Sequence, residues 1–163
     1  MPDNKNLFET IHNDYHAMVL QMCLGFMKGD LDLAKDLSQE VFINTWIALK
    51  KFNHASSLKT WIYRITVNTC LKYIRDKKNK YQIPINEEHS YLKDESIHDS
   101  DTNHQSLYRA IGQLREVDRL IMMMILDELE YEEISKIIGI SEGHLRVKIS
   151  RIKKILKKIM DNE

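Results

Sequence analysis

Two prolines and five glycines in 163 residues leave this chain few places to break a helix, and with 43% hydrophobic residues they point to helices throughout. Its only two cysteines, Cys23 and Cys70, form no C-x-x-C and no metal-ligand spacing. No disulfide frame is therefore expected, and a reduced, cytoplasmic setting is the economical assumption. The longest wholly apolar run, Leu120 to Leu126, is too short to cross a bilayer. The N-terminal stretch MPDNKNLFETIHNDYH lacks the charged-then-apolar profile of a signal peptide, so no direct membrane insertion is expected. Also missing are a Gly-rich phosphate loop, a nucleophile paired with a base, and a metal-ligand set. An enzyme reading finds no support on these grounds, and no cofactor, metal or small-molecule substrate is predicted.

Charge of one sign is absent too: 24 basic and 24 acidic side chains cancel. The whole-chain sum conceals how they are arranged. Residues 1–75 carry net +2, residues 76–105 net −3, residues 106–145 net −4 and residues 146–163 net +5. Basic charge is thus concentrated in the last helical stretch, which is the footprint of a phosphate-facing helix.

That stretch closes the most specific pattern in the chain, EYEEISKIIGISEGHLRVKISRIKKILKKI, from Glu130 to Ile159. Ile134, Ile137 and Ile138 mark an amphipathic segment that stops at Gly139, a residue free to take the positive φ of a helix end. Ser141 can cap a second helix, in which Leu145, Ile149, Ile152, Leu156 and Ile159 form one apolar stripe while Arg146, Ser150, Arg151 and Lys154 point elsewhere. Two helices joined by a short Gly-containing turn predict a helix-turn-helix, with Ser135 small where they approach. An ordinary helical hairpin would share the periodicity but does not account for the charge distribution.

Leu7 to Lys28 reads as a first helix, with Leu7, Phe8, Ile11, Tyr15, Met18, Val19, Met22 and Phe26 at helical spacing. His12, His16 and Cys23 recur there at a spacing that would allow a metal, but with no acidic ligand nearby, surface and core roles are favoured. Asp32 to Phe52 is predicted as a second helix, with Leu33, Leu37, Val41, Phe42, Trp46 and Leu49 buried. Asp36, Gln39 and Glu40 share a polar face beside that core, which on spacing alone reads as a solvated acidic patch. After a small polar loop, Leu58 to Lys77 predicts a third helix whose Trp61, Arg64, Asn68, Lys72 and Arg75 lie on one stripe. An aromatic with three cations and an amide suits single-stranded nucleic acid; a core tryptophan beside a solvated face is the other reading. From Asp76 to about His104 the periodicity is lost and the composition turns acidic, which reads as a linker. Ser106–Gln113 and Arg115–Leu126 supply two more helices, the Met122–Met124 block serving as core packing rather than as a soft-metal site.

In this order the blocks resemble the extracytoplasmic-function sigma factors, the minimal group of the sigma-70 family, which carry sigma regions 2 and 4 joined by a linker. AKDLSQEVFINTWIALKKF followed by SLKTWIYRITVN is similar to region 2, where an acidic D-L-x-Q-E-x-F helix precedes a T-W-L-x-R-I-x-x-N helix. QLREVDRLIMMMILDELEYEEISKIIGISEGHLRVKISRIKKIL is similar to region 4, with its L-S-Y-x-E-I-A-x-x-L-G-I-S-x-G-T-V-K-S-R-x-x-R-A segment. Together they cover about two-thirds of the chain.

The resemblance implies an all-α protein with region 2 in residues 1–78, a linker over 79–104 and region 4 in 105–163. It implies that Asp36, Gln39, Glu40 and Trp46 meet the clamp helices of the largest subunit of core RNA polymerase, the β subunit being a further contact. It places −10 promoter reading on Trp61, Arg64, Asn68, Lys72 and Arg75, and on loop residues Asn53, His54 and Ser56, which would accept an extruded base at an unstacking cost of a few kcal/mol. It places −35 duplex reading on Gly143, His144, Arg146, Val147, Ser150, Arg151 and Lys154 through the major groove. Many relatives are held inactive by an anti-sigma factor, so one is an expected partner here. Lys72 stands where many relatives carry Asp, His144 where Thr is usual, Val147 where Ser is usual and Ser135 where Ala is common, which leaves base-level specificity open. The competing functions are a helix-turn-helix regulator with an N-terminal sensor or dimerisation domain, and a protein that sequesters a partner without touching DNA.

Overall fold

The computed structural model describes residues 3–81 and 102–162, and the greater part of the predicted acidic linker lies outside them. Seven helices make up the described residues: α1 (Asn4–Phe26), α2 (Leu31–Leu49), α3 (Leu58–Tyr81), α4 (Thr102–Gly112), α5 (Glu116–Leu126), α6 (Tyr131–Ile138) and α7 (Glu142–Asp161). The all-α expectation holds among them.

Helix ends follow local chemistry. Asp3 and Asp30 start α1 and α2 by accepting from the backbone N–H groups of Lys5 and Leu33, orphan donors that nothing else in the helix could satisfy. The cap at Asp3 explains why α1 begins before the predicted Leu7. Helix α3 runs four residues past the predicted Lys77, because Lys78 and Lys80 in its last turn favour the negative end of the helix dipole and need no core to cover them. Conversely α2 stops at Leu49, three residues before the predicted Phe52.

Helices α1, α2 and α3 form the first unit, with Ile11, Val19, Leu37, Val41, Ile62, Tyr63 and Val67 buried between them. Three buried threonine hydroxyls are satisfied within their own helices: Thr45, Thr66 and Thr69 donate to the carbonyls of Val41, Ile62 and Ile65 at 2.7–2.8 Å. Asn44 Nδ2 then donates to Thr69 Oγ1 at 3.0 Å, tying α2 to α3.

Helices α4 to α7 form the second unit, and it packs directly on the first. Helices α4 and α5 meet α1, and α5 and α6 meet α3, so that one hydrophobic core runs from Ile11 to Leu156. Gly25 is the penultimate residue of α1 and is buried. A Cβ there would stand 2.3 Å from Met123 Sδ, so the missing side chain is what lets α5 approach. Polar ties reinforce this seam. Arg119 Nε donates to the Phe26 carbonyl at 2.9 Å, Gln21 Nε2 donates to the Tyr108 hydroxyl, and Lys78 pairs with Glu116 at 3.3 Å.

Candidate nucleic-acid and protein interfaces

The outer face of α2 is acidic and apolar together. Asp36, Gln39 and Glu40 are all exposed, as their shared polar face required. Trp46, counted on the buried face by its spacing, is instead 43% exposed, while Leu33 is half-buried. One turn before Trp46, Ile43 is 54% exposed, and Ile47 directly after it is 65% exposed. The periodic pattern missed both: neighbouring Phe42 and Leu49 satisfy the core, which leaves these isoleucines outside it. Single exposed apolar residues are ordinary, but three on one helix face beside a carboxylate pair form a patch suited to a protein partner.

Two open grooves flank α2. The one toward α3, about 470 Å³, is lined by Asp36 and Glu40 on one side and by Lys72, Tyr73 and Lys77 on the other. The one toward α1, about 700 Å³, holds Gln39 and Trp46 with Phe8, His12, His16 and Phe42. The four predicted polymerase contacts are thus divided between the two sides of one helix. Lys72 faces the Asp36 and Glu40 groove, whereas Trp61 lies three turns away at the other end of α3. His12 and His16 are ring-packed on Phe42, at 4.6 and 6.1 Å between centroids. Among the described residues, no group of three or more His, Cys, Asp or Glu side chains could hold a metal ion, and Cys23 is buried away from this groove.

The loop before α3 is more ordered than a polar linker needs to be. The Asn53 side chain accepts from Ala55 N–H at 3.1 Å, and Ser57 Oγ accepts from Thr60 N–H at 3.1 Å, so Ser57 caps α3. Between them His54 has φ 58°, a conformation that L-residues with a Cβ rarely adopt. Its ring packs on Phe52, which packs on Trp61, at centroid separations of 4.5 and 4.6 Å. This aromatic ledge joins loop and helix into one surface, with Phe52, which helical spacing does not mark, at its centre. Along α3, Trp61 and Arg64 are half-buried, while Asn68, Lys72 and Arg75 are exposed. Asn53, His54 and Ser56 line the loop, the first two exposed and Ser56 half-buried.

The helix-turn-helix takes the predicted form. Gly139 ends α6 at φ 84°, its N–H returning to the Ser135 carbonyl at 2.8 Å. Ser141 starts α7 by accepting from His144 N–H at 3.2 Å. Leu145, Ile149, Ile152 and Leu156 are buried, and Ile159 is half-buried. Gly143, His144, Arg146, Val147, Ser150, Arg151 and Lys154 all lie exposed on the other side. Lys148, on the same helix, reaches Asp118 on α5 at 2.8 Å and serves the fold. Arg146 Nη2 donates to Glu142 Oε1 at 2.8 Å, and its guanidinium carbon lies 5.2 Å from the centre of the Tyr131 ring on α6. Ser135, small as the approach demands, donates its hydroxyl to the Glu132 carbonyl.

The chain thus carries an acidic and apolar helix face, an aromatic ledge continuous with a polar helix, and a helix-turn-helix with a basic outer face. Among the described residues, no helix is long and apolar enough to cross a membrane.

Residues 11–80 match the family model for Sigma-70 region 2, and residues 104–156 match that for Sigma-70, region 4. The chain is 31% identical to the ECF RNA polymerase sigma-E factor of Escherichia coli (strain K12), over 74% of its own length and 70% of that protein. It is 28% identical to the RNA polymerase sigma factor YlaC of Bacillus subtilis (strain 168), over 96% of this chain and 94% of the other. Among solved structures, the sigma factor RpoE in complex with the anti-sigma factor NepR from Bartonella quintana superposes with a TM-score of 0.77. That likeness covers 94% of this chain and 96% of the other at 20% identity, and it bears on the fold alone.

Proposed function

Since the chain belongs to the sigma-70 family, in its extracytoplasmic-function group, we propose that it is an alternative sigma factor that binds core RNA polymerase and directs promoter-specific initiation. Region 2 occupies residues 1–78 and region 4 residues 105–163, with the stretch 79–104 between them. Polymerase docks on α2 through Asp36, Gln39, Glu40 and Trp46, with the clamp helices of the largest subunit as the main partner. The −10 element is opened on the ledge of Phe52, His54 and Trp61 and along Arg64, Asn68, Lys72 and Arg75. The −35 duplex is read by the outer face of α7.

The observation that carries this reading is the coexistence, in one small chain, of an exposed acidic face on α2 with two separate surfaces suited to DNA. A sensor domain attached to a helix-turn-helix has use for neither the α2 face nor the aromatic ledge. A sequestering protein has no use for the cations along α7. Stacking supplies about 1–3 kcal/mol per base, enough to offset the few kcal/mol of extruding one. No catalytic group is required of this chain, since polymerisation belongs to the core enzyme, and its place of work is the cytoplasm where that enzyme resides. An anti-sigma factor is a fitting further partner: the solved RpoE of Bartonella quintana is in complex with one, NepR.

Run-off transcription with purified core polymerase on promoter DNA, with and without this protein, tests the reading. Promoter-specific transcripts only in its presence are the expected result. No binding to core polymerase under any condition would sink it, and tight sequence-specific DNA binding without core would favour a conventional regulator.

A further inference from the structure

Arg146 is held from two sides before any DNA arrives. Glu142 stands one turn earlier on α7 and accepts its Nη2 at 2.8 Å, and the Tyr131 ring on α6 lies beneath its guanidinium at 5.2 Å. Both supports are themselves fixed. Tyr131 is the first residue of α6, whose start is locked by a capping box in which Glu130 and Glu133 each accept from the other's backbone N–H. Its ring is half-buried against the core. Glu142 is the first residue of α7, set directly after the Ser141 cap and favoured there by the helix dipole. An arginine on a bare helix samples many rotamers; this one has a carboxylate acceptor and a ring within reach to favour one of them. The side chain nevertheless stays 61% exposed, on the outer part of α7 that also carries Val147.

Resting on the reading of α7 as the −35 helix, we propose that Tyr131 and Glu142 are positioning residues for −35 readout: they orient the Arg146 fork toward one base of the major groove. A flat guanidinium recognises guanine through two parallel N–H donors to O6 and N7, which requires its plane to match that of the base pair. Stacking on Tyr131 sets that plane. Glu142 sets the rotation within it, and it also cancels the charge that would otherwise draw Arg146 to any nearby phosphate. The pair therefore converts a general cation into a base reader. The energetic scale is modest: a stacked cation at an exposed site contributes about two- to fivefold in equilibrium, rising to tenfold or more once DNA excludes water from the contact.

The test uses full-length protein with core polymerase on a panel of promoters carrying each of the four bases at every −35 position. The readout is the ratio of binding between matched and mismatched promoters, which does not depend on the fraction of active protein and so is not mimicked by partial misfolding. Arg146→Ala should abolish discrimination at one position. Tyr131→Leu should reduce discrimination at that same position about fivefold or more, with the salt dependence unchanged because no phosphate contact is lost. Tyr131→Phe, which keeps the ring, should retain discrimination. Glu142→Gln should tighten binding to mismatched promoters and so narrow the ratio. Wild-type preference in Tyr131→Leu while Arg146→Ala loses it would overturn the positioning role and leave the −35 assignment standing. Unchanged preference in Arg146→Ala itself would overturn both.

Discussion

Arg119 of α5 donates from Nε to the main-chain carbonyl of Phe26, the last residue of α1, at 2.9 Å, and its guanidinium carbon lies 5.2 Å from the centre of the Phe26 ring. The same side chain donates from Nη1 to the Leu114 carbonyl at 2.6 Å. Both acceptors are orphan carbonyls near chain breaks, Phe26 at a helix end and Leu114 in the α4–α5 turn. One arginine, only 5% exposed, thus closes two ends and the seam between the two units. Burial lowers the Arg119 pKa, Glu116 opposes that, and at neutral pH the group stays charged.

Replacing Arg119 by methionine should therefore cost about 2–4 kcal/mol, because two buried carbonyls lose charge-assisted partners and only part of the ring contact is kept. Lysine should cost about 1–3 kcal/mol, since a single ammonium cannot span both carbonyls in the geometry of the fork. Urea denaturation at neutral pH measures both. A methionine variant as stable as wild type would mean that the seam is held by its apolar contacts alone.

The link between Lys78 and Glu116 adds a pH dependence. Burial pushes the Glu116 carboxyl up, but its own backbone N–H, Lys78 and Arg119 together bring it below the ordinary carboxylate value. A depressed carboxylate pKa gives stability that is present above the unfolded value, about 4.3, and is lost as pH falls through the folded one. Asp127 acts in the opposite sense, because burial raises its pKa despite Lys59, and it regains stability on acidification. Glu116→Gln isolates the first effect. The two side chains of the pair are a third or more exposed, so the loss at pH 7 should stay under about 1 kcal/mol. The difference between variant and wild type should shrink as pH falls below the unfolded value of about 4.3, as read from urea midpoints; a difference independent of pH would place the contribution in packing instead.

Asp36→Arg combined with Gln39→Ala should weaken polymerase binding by about tenfold or more, since an introduced like charge at a docking face costs several kcal/mol. Both positions are exposed, so unfolding should shift by less than about 0.5 kcal/mol. Ile47→Lys should act in the same direction if the apolar part of this face is also covered. Arg64→Ala and Asn68→Ala should spare polymerase binding and impair promoter opening, scored by permanganate reactivity of unpaired thymines. Normal opening by both would remove α3 from −10 recognition.

What was legible in the sequence follows a physical rule. The helix-turn-helix was readable because its punctuation is local: Gly139 supplies a positive φ, Ser141 a cap, and the apolar stripe of α7 a single face. Trp46 was misplaced because periodicity reports which residues could be buried, not which helix neighbours are present to bury them. Arg119 gave no signal at all. A buried arginine resembles a surface one in sequence, and its partners are main-chain carbonyls, one of them 93 positions away. The seam between the units was invisible for the same reason, since an acidic intervening stretch looks alike whether the flanking units touch or stand apart.

That seam sets a constraint on promoter reading. A chain of 163 residues packed as one body is about 40 Å across. The −10 and −35 elements are separated by roughly 80 Å of duplex at 3.4 Å per base pair. On the proposed assignment of −10 to α3 and −35 to α7, both surfaces cannot engage while α5 rests on α1, and the units are expected to separate on the way to a transcribing complex. The Gly25 and Met123 approach offers a lock: a Cβ at position 25 would lie 2.6 Å from Met123 Cγ, which brings the two Cβ atoms to within about 4 Å, the span of a disulfide. In a background with Cys23 and Cys70 replaced by serine or alanine, Gly25→Cys with Met123→Cys should oxidise readily. The oxidised protein should lose promoter-specific run-off transcription, and a thiol reductant should restore it. Full activity in the oxidised state, with the cross-link verified by mass, would mean that the packed arrangement itself initiates transcription.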